Sequence, residues 1–285
     1  GKKLTALNFA KALNCKSETR PCDNCIPCKK INNLNHPDIF LLKQDEKSSS
    51  IKIDKVREMI RSIGLKPYEG KKKVYIIDGA DFMTQESSNA LLKTLEEPPS
   101  ESVLILIAED LGTLFRTIVS RSQIVRFFPL RTEAIEEILV KVYKIDSVKA
   151  HILSHLACGS LGNALEFKDE GLFDKRSALL AGLSNNTFFD SDFDGVSKDD
   201  LKLYLGLMLA WYRDILITKI GLGDSALINI DRIDAIVSQA KRLDYDHIDS
   251  AIREVISTTA FLDQNANAKL AMGALGMKIG EICTR

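Results

Sequence analysis

The stretch from Val74 to Ser122 constrains the fold of this chain more than any other part. It begins with four consecutive apolar residues, Val74–Ile77, which are followed by Asp78. A continuous apolar run of this kind is typical of a strand buried on both faces of a parallel sheet, and it brings a carboxylate to the carboxyl end of that strand. We therefore predict a strand here, with Asp78 at the edge of the sheet where ligands bind.

A helix and a second strand follow in the same stretch. Residues 89–97 have a helical pattern, and Pro98-Pro99 ends it because proline donates no backbone hydrogen bond and restricts the residue before it. The apolar run Val103–Ala108 predicts a second buried strand. The stretch closes on Thr117–Ser122, and we interpret the first three of these residues as strand-like. Strand, helix and strand together predict an α/β domain.

These residues resemble a known family. Val74–Ala108 and Thr117–Gln123 are similar to the same region of bacterial DNA polymerase III clamp loader subunits, which belong to the AAA+ class. Residues 90–99, Ala-Leu-Leu-Lys-Thr-Leu-Glu-Glu-Pro-Pro, are the most specific part. The resemblance covers Gly1 to about Leu165 and continues beyond that as a helical likeness. It implies an α/β P-loop NTPase-type (AAA+) domain with an inserted zinc module, a small helical lid domain and an all-α collar domain.

The resemblance and the helical patterns divide the chain into three predicted domains. Residues 1–130 form the AAA+ domain, and residues 15–28 form its zinc module. Residues 131–172 form the lid and residues 173–285 the collar. We expect the AAA+ domain to lack its first residues, since the numbered chain has no initiating Met. Within the collar, residues 183–200 are interpreted as a linker, and the bundle core is predicted to contain three large residues: Leu205, Trp211 and Tyr212.

Neither the charge nor the hydropathy of the chain indicates a polyanion or a membrane as the main partner. The 39 Lys and Arg residues balance 39 Asp and Glu residues, so any DNA contact has to be local or shared with other subunits. No apolar run approaches the ~20 residues that cross a bilayer, and we expect no secretory leader. We expect a cytoplasmic protein without membrane contacts.

Four cysteines are grouped near the start of the chain, and they are Cys15, Cys22, Cys25 and Cys28. Thiols stay reduced in the cytosol, so this spacing predicts metal ligands rather than disulfides. Four thiolates suit a tetrahedral, structural Zn²⁺. Unrelated or redox-active cysteines are the alternative. We interpret His36 as part of the geometry at the start of a strand, with zinc ligation as its alternative, and Cys158 and Cys283 as core thiols.

Gly1 and Lys2 precede a helical pattern, and by resemblance they end a phosphate-binding loop. Lys3 stands where a hydroxyl is expected to bind Mg²⁺. Gly79 follows Asp78, although the ATPases of the class have a water-polarising glutamate there. We therefore predict a degenerate nucleotide site at Gly1, Lys2 and Asp78, without hydrolysis. Binding of ATP and Mg²⁺ in this subunit is left open, and we interpret Asp78 as a cap of the following helix.

Three more positions depart from the motor subunits of the family. Glu109 and Asp110 bring negative charge to the place where the motors have small polar residues that sense the γ-phosphate, and that charge would repel a triphosphate. Gly162 takes the place of an arginine that touches the nucleotide. The resemblance therefore implies a subunit that does not act as a motor.

Arg121 is the predicted catalytic residue. Ser120-Arg121-Ser122 matches the family's Ser-Arg-Cys motif except at its last position. By resemblance, this arginine projects into the nucleotide site of the neighbouring subunit and acts in trans as an arginine finger. A permanently charged, planar guanidinium stabilises the charge that spreads over a transferring phosphoryl group. An ordinary surface arginine is the alternative.

The resemblance thus implies a non-hydrolysing stator of the DNA polymerase III clamp loader, a subunit of the polymerase holoenzyme. Its expected partners are the motor ATPase and delta subunits in a hetero-pentamer, and through that complex the sliding clamp and primer–template DNA. The helix that ends at Pro98 is expected to brace Arg121. Two other functions stay open, a motor-type gamma/tau-like clamp loader ATPase and a zinc-containing DNA-binding module.

Overall fold

Three parallel strands form a sheet in the computed structural model, which describes residues 1–44, 50–169, 171–185, 195–264 and 266–284. They pair in the order β1-β2-β3. The strands are β1 (Ile39–Lys43), β2 (Lys73–Asp78) and β3 (Ser102–Ile107). The two strands predicted from apolar runs are therefore confirmed as β2 and β3, and the parallel sheet is confirmed with them.

The central strand β2 is covered on both faces. Its side chains alternate, so Val74 and Ile76 face one side of the sheet while Tyr75 and Ile77 face the other, and all four are fully buried. The first pair packs with Ala6 and Ala10, and the second pair packs in a separate cluster with residues such as Val56 and Leu91. Helices on both faces are what an all-parallel sheet requires.

The helices around this sheet belong to the first of two compact units, residues 1–127. They are α1 (Lys2–Asn14), α2 (Ile26–Asn32), α3 (Ile53–Ile63), α4 (Gln85–Glu96) and α5 (Arg116–Val119). A short 3₁₀ turn, Ala80–Phe82, joins β2 to the loop before α4. Helix α1 covers one face of the sheet, and α3 and α4 cover the other.

Local sequence signals define both ends of helix α4. The Thr84 side chain accepts a hydrogen bond from the Ser87 backbone N–H (3.2 Å) and so caps the first turn. The helix ends at Glu96, and Pro98-Pro99 follows. The predicted helix is thus confirmed, and it begins four residues earlier than residue 89, where its sequence pattern was recognised.

The strand-like interpretation of Thr117–Val119 is wrong, because these residues lie in the short helix α5. β-Branched residues favour strands locally, but burial decides here. Ile118 is fully buried in the cluster that also contains Leu91 of α4. The helical turn buries Ile118 and keeps Ser120 and Arg121 at the surface.

The second unit, residues 128–285, is helical in its described part. Its helices are α6 (Thr132–Lys141), α7 (Ser147–Leu156), α8 (Leu161–Asp169), α9 (Leu172–Asn185), α10 (Lys198–Lys219), α11 (Ile233–Arg242), α12 (Tyr245–Asp263) and α13 (Ala268–Thr284). Two 3₁₀ turns, Asp224–Ala226 and Ile230–Arg232, lie between α10 and α11. One hydrophobic core runs from Ile135 to Ile279.

The predicted core residues of this unit are confirmed, since Leu205, Trp211 and Tyr212 are all buried. The division into a lid (131–172) and a collar (173–285) stays a prediction. Half of the interpreted linker, residues 186–194, lies outside the described residues, as does the side chain of Cys283. Among the described helices, none combines the length and the hydropathy that a membrane crossing needs.

The expectation that Cys158 is a core thiol is wrong, because its side chain is exposed. Cys158 follows α7 in a left-handed backbone conformation (φ 48°), and Gly159 continues the turn at φ 82°. This turn carries the thiol away from the apolar face of α7.

Candidate functional site

The four grouped cysteines converge on one point. Their sulfur atoms all lie within 4.8 Å of one another, and the Sγ atoms of Cys15 and Cys25 are 3.9 Å apart. Zn–S bonds of about 2.3 Å in a tetrahedral site put the sulfurs about 3.8 Å apart. The thiols therefore lie close enough together to converge on one tetrahedral metal ion. His36 is not a member of this group, and its Nδ1 accepts a hydrogen bond from the Asp38 backbone N–H (3.1 Å).

Two helix ends bring these sulfurs together. Cys15 directly follows α1 with an extended backbone, and Cys25 occupies the position directly before α2. Cys28 lies in the first turn of α2, and Pro27 fixes the backbone of that turn. Cys22 joins the group from the loop between the helices, where its Sγ accepts a hydrogen bond from the Cys25 backbone N–H (3.4 Å).

The protein environment acts in opposite directions on these thiols. Backbone N–H groups of Lys16 and Cys28 lower the pKa of Cys25 to about 6, whereas burial raises the pKa of Cys28 to about 12. The polypeptide alone therefore does not stabilise four thiolates at neutral pH. A bound divalent cation supplies the positive charge that lets all four sulfurs ionise.

The predicted nucleotide-site residues lie together at the carboxyl edge of the sheet. Lys2 and Lys3 both contact other groups of the chain there. Gly1 caps α1 through its carbonyl, which accepts a hydrogen bond from the Thr5 N–H (3.0 Å). Lys2 Nζ donates to the carbonyl oxygen of Ala108, directly after β3 (3.0 Å). Lys3 Nζ lies 3.1 Å from an oxygen of Asp78, at the end of β2. Each lysine thus contacts the end of a strand.

A third lysine belongs to the same cluster. Burial by itself would lower the pKa of Lys3, but hydrogen bonds with Lys43 and Asp78 raise it. The pKa of Lys43, at the end of β1, is lowered because it hydrogen-bonds to Lys3 and faces that positive charge. The carboxylate that would support Mg²⁺ is therefore paired with an ammonium group of the chain itself.

The interpretation of Asp78 as a helix cap is wrong. Thr84 caps α4, and Asp78 pairs with Lys3. The carboxylate with a structural role in this loop is Asp81, which accepts hydrogen bonds from the Glu109 backbone N–H (2.9 and 3.1 Å) and from the Thr113 hydroxyl (3.1 Å). Asp81 thereby ties the segment after β2 to the segment that leads from β3 into α5. Sequence reasoning missed this role because the partners are about thirty residues apart.

Arg121 lies at the surface just after α5, with its guanidinium held by α4. Its Nε and Nη2 atoms lie 2.7 and 2.6 Å from one oxygen of Glu96, the last residue of α4. Its Nη1 donates to the Thr117 carbonyl (3.1 Å) and to the Ser120 hydroxyl (3.3 Å). The cation is thus ordered and still accessible, with about a third of its side chain exposed.

The positions that depart from the motor pattern are also at the surface. Glu109 and Asp110 are exposed, and Asp110 accepts a hydrogen bond from the Gly112 N–H (2.8 Å). Gly162 lies in the first turn of α8, where a Cβ would meet only the Ser160 hydroxyl at 3.7 Å. A larger side chain would fit there, so packing does not require glycine.

Comparison with known proteins agrees with this architecture. Residues 1–131 match the sequence profile of the family described as DNA polymerase III, delta subunit, and residues 171–275 match the family described as its C-terminal part. The DNA polymerase III subunit delta prime of Bacillus subtilis is 31% identical over 294 residues, which cover 99% of this chain and 88% of that protein. The chain belongs to the delta prime family of DNA polymerase III clamp loader subunits.

Delta prime proteins have relatives among the other subunits of this polymerase. The gamma/tau subunit of Mycoplasma pneumoniae is 33% identical to this chain, but the similarity covers 60% of the chain and 25% of that subunit. A gamma subunit-related protein of known structure from Thermotoga maritima is 17% identical, with a TM-score of 0.47 over 89% of this chain and 88% of the other. The sequence similarity to the Bacillus subtilis delta prime subunit covers 99% of this chain.

Proposed function

We propose that this delta prime chain is a non-hydrolysing stator of the clamp loader and helps to load the sliding clamp onto primed DNA. The observation that carries this proposal is the 3.1 Å contact between Lys3 and Asp78. In an ATPase of this class the aspartate supports Mg²⁺ beside the phosphates, and here an ammonium group already compensates its charge. Gly79 supplies no carboxylate to polarise water, and Gly162 supplies no charge to a nucleotide.

Arg121 would serve the ATP of a neighbouring subunit. An arginine finger has to reach beyond its own subunit, carry a permanent charge and keep a defined geometry. Arg121 is supported in this role by its surface position after α5 and by its contacts with Glu96 and Thr117. Its role would therefore be in trans, while the nucleotide site of its own chain would stay silent.

The remaining parts would have supporting roles. We propose that Cys15, Cys22, Cys25 and Cys28 hold a structural Zn²⁺. The helices of residues 131–172 and 173–285 would act as lid and collar. The motor ATPase and delta subunits would be the partners in a hetero-pentamer, and the sliding clamp and primer–template DNA would be contacted through that complex.

The test is DNA-stimulated ATP turnover of a reconstituted clamp loader that contains this chain with Arg121→Ala. Arginine fingers contribute about 10³-fold or more to the rate of phosphoryl transfer. We therefore expect the nucleotide site that borders this chain to hydrolyse almost no ATP. The turnover of the whole complex should fall by the fraction that this site contributes. Arg116→Ala is the matched control, since Arg116 is an exposed arginine of helix α5, which directly precedes Ser120 and Arg121.

Three results would contradict the proposal. Unchanged turnover with Arg121→Ala would remove the finger function. ATP hydrolysis by this chain alone would identify a motor-type subunit in spite of Lys3 and Gly79. Salt-dependent binding of DNA by the isolated chain, outside any complex, would favour the zinc-containing DNA-binding module.

A further inference from the structure

The guanidinium of Arg121 is almost fully engaged within its own chain. Of its five N–H groups, the one on Nε donates to an oxygen of Glu96, and Nη2 lies 2.6 Å from the same oxygen. The two on Nη1 serve the Thr117 carbonyl and the Ser120 hydroxyl. Within the described part of the chain, the second N–H of Nη2 is the one without a partner, so an external acceptor finds a donor in a defined place.

Glu96 differs from the other two partners. Thr117 and Ser120 precede Arg121 by a few residues, so they move with it, whereas Glu96 belongs to α4 and is separated from Arg121 by strand β3. Glu96 is also the only charged partner of Arg121 among the described residues. It therefore fixes the guanidinium relative to the body of the domain.

This ion pair contributes little to folding. About half of the Glu96 side chain and a third of the Arg121 side chain are exposed, and exposed ion pairs add little stability because solvent screens them. Its effect is on conformational freedom, since a free arginine side chain explores many rotamers and each productive contact has to order it. A finger that is ordered in advance avoids that loss at the moment of reaction.

We propose that Glu96 is a positioning residue for Arg121: it holds the guanidinium, before the complex assembles, in the orientation that it needs at the neighbouring nucleotide. The proposal rests on the finger function of Arg121 proposed above. Glu96 does not touch the nucleotide, and its negative charge lies on the side of the guanidinium that its own chain occupies. Helix α4 thus acts on a reaction in the next subunit through one carboxylate.

The experiment measures kcat and KM for DNA-stimulated ATP turnover in reconstituted clamp loaders that contain wild-type, Glu96→Ala, Arg121→Ala or doubly substituted chains. Misplacing a catalytic group by about 1 Å costs on the order of 10²-fold in rate. We expect Glu96→Ala to slow the bordering site by about tenfold or more in kcat and to leave KM unchanged. The double variant should be no slower than Arg121→Ala, since Glu96 acts only through Arg121.

Two controls separate positioning from a general effect on the fold. Glu97→Ala removes the neighbouring exposed carboxylate, which is not among the partners of Arg121, and should leave turnover unchanged. Glu96→Gln keeps an oxygen acceptor without the charge and should retain turnover between that of the wild type and that of Glu96→Ala. The isolated Glu96→Ala chain should melt at the wild-type temperature.

The outcomes distinguish this inference from the proposed function. If Arg121→Ala slows the complex while Glu96→Ala does not, Arg121 is a finger that needs no positioning and the inference is overturned. Faster turnover with Glu96→Ala overturns it as well, because Glu96 would then restrain Arg121. If Arg121→Ala itself changes nothing, the finger function fails, and the positioning role of Glu96 fails with it.

Discussion

The carboxylate of Asp38 holds a loop in place through hydrogen bonds to its backbone. It is fully buried, and its two oxygens accept hydrogen bonds from the backbone N–H groups of Tyr68 (2.7 Å), Glu69 (2.9 Å) and Gly70 (2.7 Å). Burial alone would raise the pKa of Asp38, but these three donors hold it below its usual value. The residue thereby fixes the loop that leads into β2.

We expect Asp38→Asn to lower the free energy of unfolding by about 2–3 kcal/mol at pH 7, because an amide offers one acceptor oxygen to three partly buried donors. The folded pKa lies below the unfolded value of about 3.9, so the carboxylate stabilises the fold fully above that value. That contribution is lost as the pH falls through the folded pKa. The difference between variant and wild type should therefore shrink below about pH 4.

Urea unfolding of both proteins at pH 7, 4 and 3 measures this difference. A constant difference across the series would show that the charge of Asp38 has no part in it. Burial lowers the pKa of the nearby His36, so its own contribution begins as the pH falls below the unfolded value of about 6.5.

At the scale of elements, the turn between α7 and α8 depends on one glycine. Gly159 has φ 82°, and a Cβ built on it would lie 2.3 Å from the Cβ of Pro129. Its carbonyl accepts a hydrogen bond from the Leu130 N–H (2.9 Å), so the turn and residues 129–130 are in direct contact. At Gly162, three residues later, a Cβ would make only an ordinary van der Waals contact, with the Ser160 hydroxyl at 3.7 Å.

Gly159→Ala should lower the free energy of unfolding by about 2–4 kcal/mol, since it combines left-handed backbone strain with overpacking. Gly162→Ala is the matched control, and it should be neutral or stabilise α8 by up to about 1 kcal/mol because alanine favours a helix over glycine. Thermal unfolding followed by circular dichroism compares the two. Equal effects of both substitutions would contradict the role given to the turn.

Elements with strong local signals were predictable from the sequence. The apolar runs fix β2 and β3, and Pro98-Pro99 fixes the end of α4, because both signals act within a few residues. Helix α5 was not predictable in the same way, since the three β-branched residues Thr117–Val119 favour a strand locally. Only the burial of Ile118 against α4 selects a helix.

The candidate site was likewise predictable only where its residues lie close together in the sequence. The spacing of the cysteines predicted a metal site because its ligands lie within fourteen residues, and their sulfurs do converge. The contact between Lys3 and Asp78 joins α1 to β2. Because these two residues are far apart in the sequence, no local pattern predicts it. The pairing of Arg121 with Glu96 is hidden in the same way, although the bracing of Arg121 by this helix was expected.

At the scale of the whole molecule, the chain consists of two compact units, and the cysteine cluster belongs to the first. The cluster is joined to that unit by side chains beyond the cysteines. Lys11 of α1 pairs with Asp23 in the cysteine loop (2.5 Å), and Lys30 of α2 pairs with Glu69 (2.7 Å). A disturbance of the cluster is therefore transmitted to α1 and to the loop before β2.

Removal of the proposed Zn²⁺ should consequently destabilise the first unit and spare the second. Structural zinc contributes directly to folding, so chelation at neutral pH should raise hydrogen exchange in α1, α2 and the loop of residues 68–70, while α10 and α12 keep their protection. Cys22→Ser should abolish stoichiometric zinc in the purified protein, and Cys158→Ser, at an exposed cysteine outside the cluster, should not. Metal content by mass spectrometry and exchange along the chain test this. Zinc-free wild-type protein, or equal loss of protection in both units, would refute it.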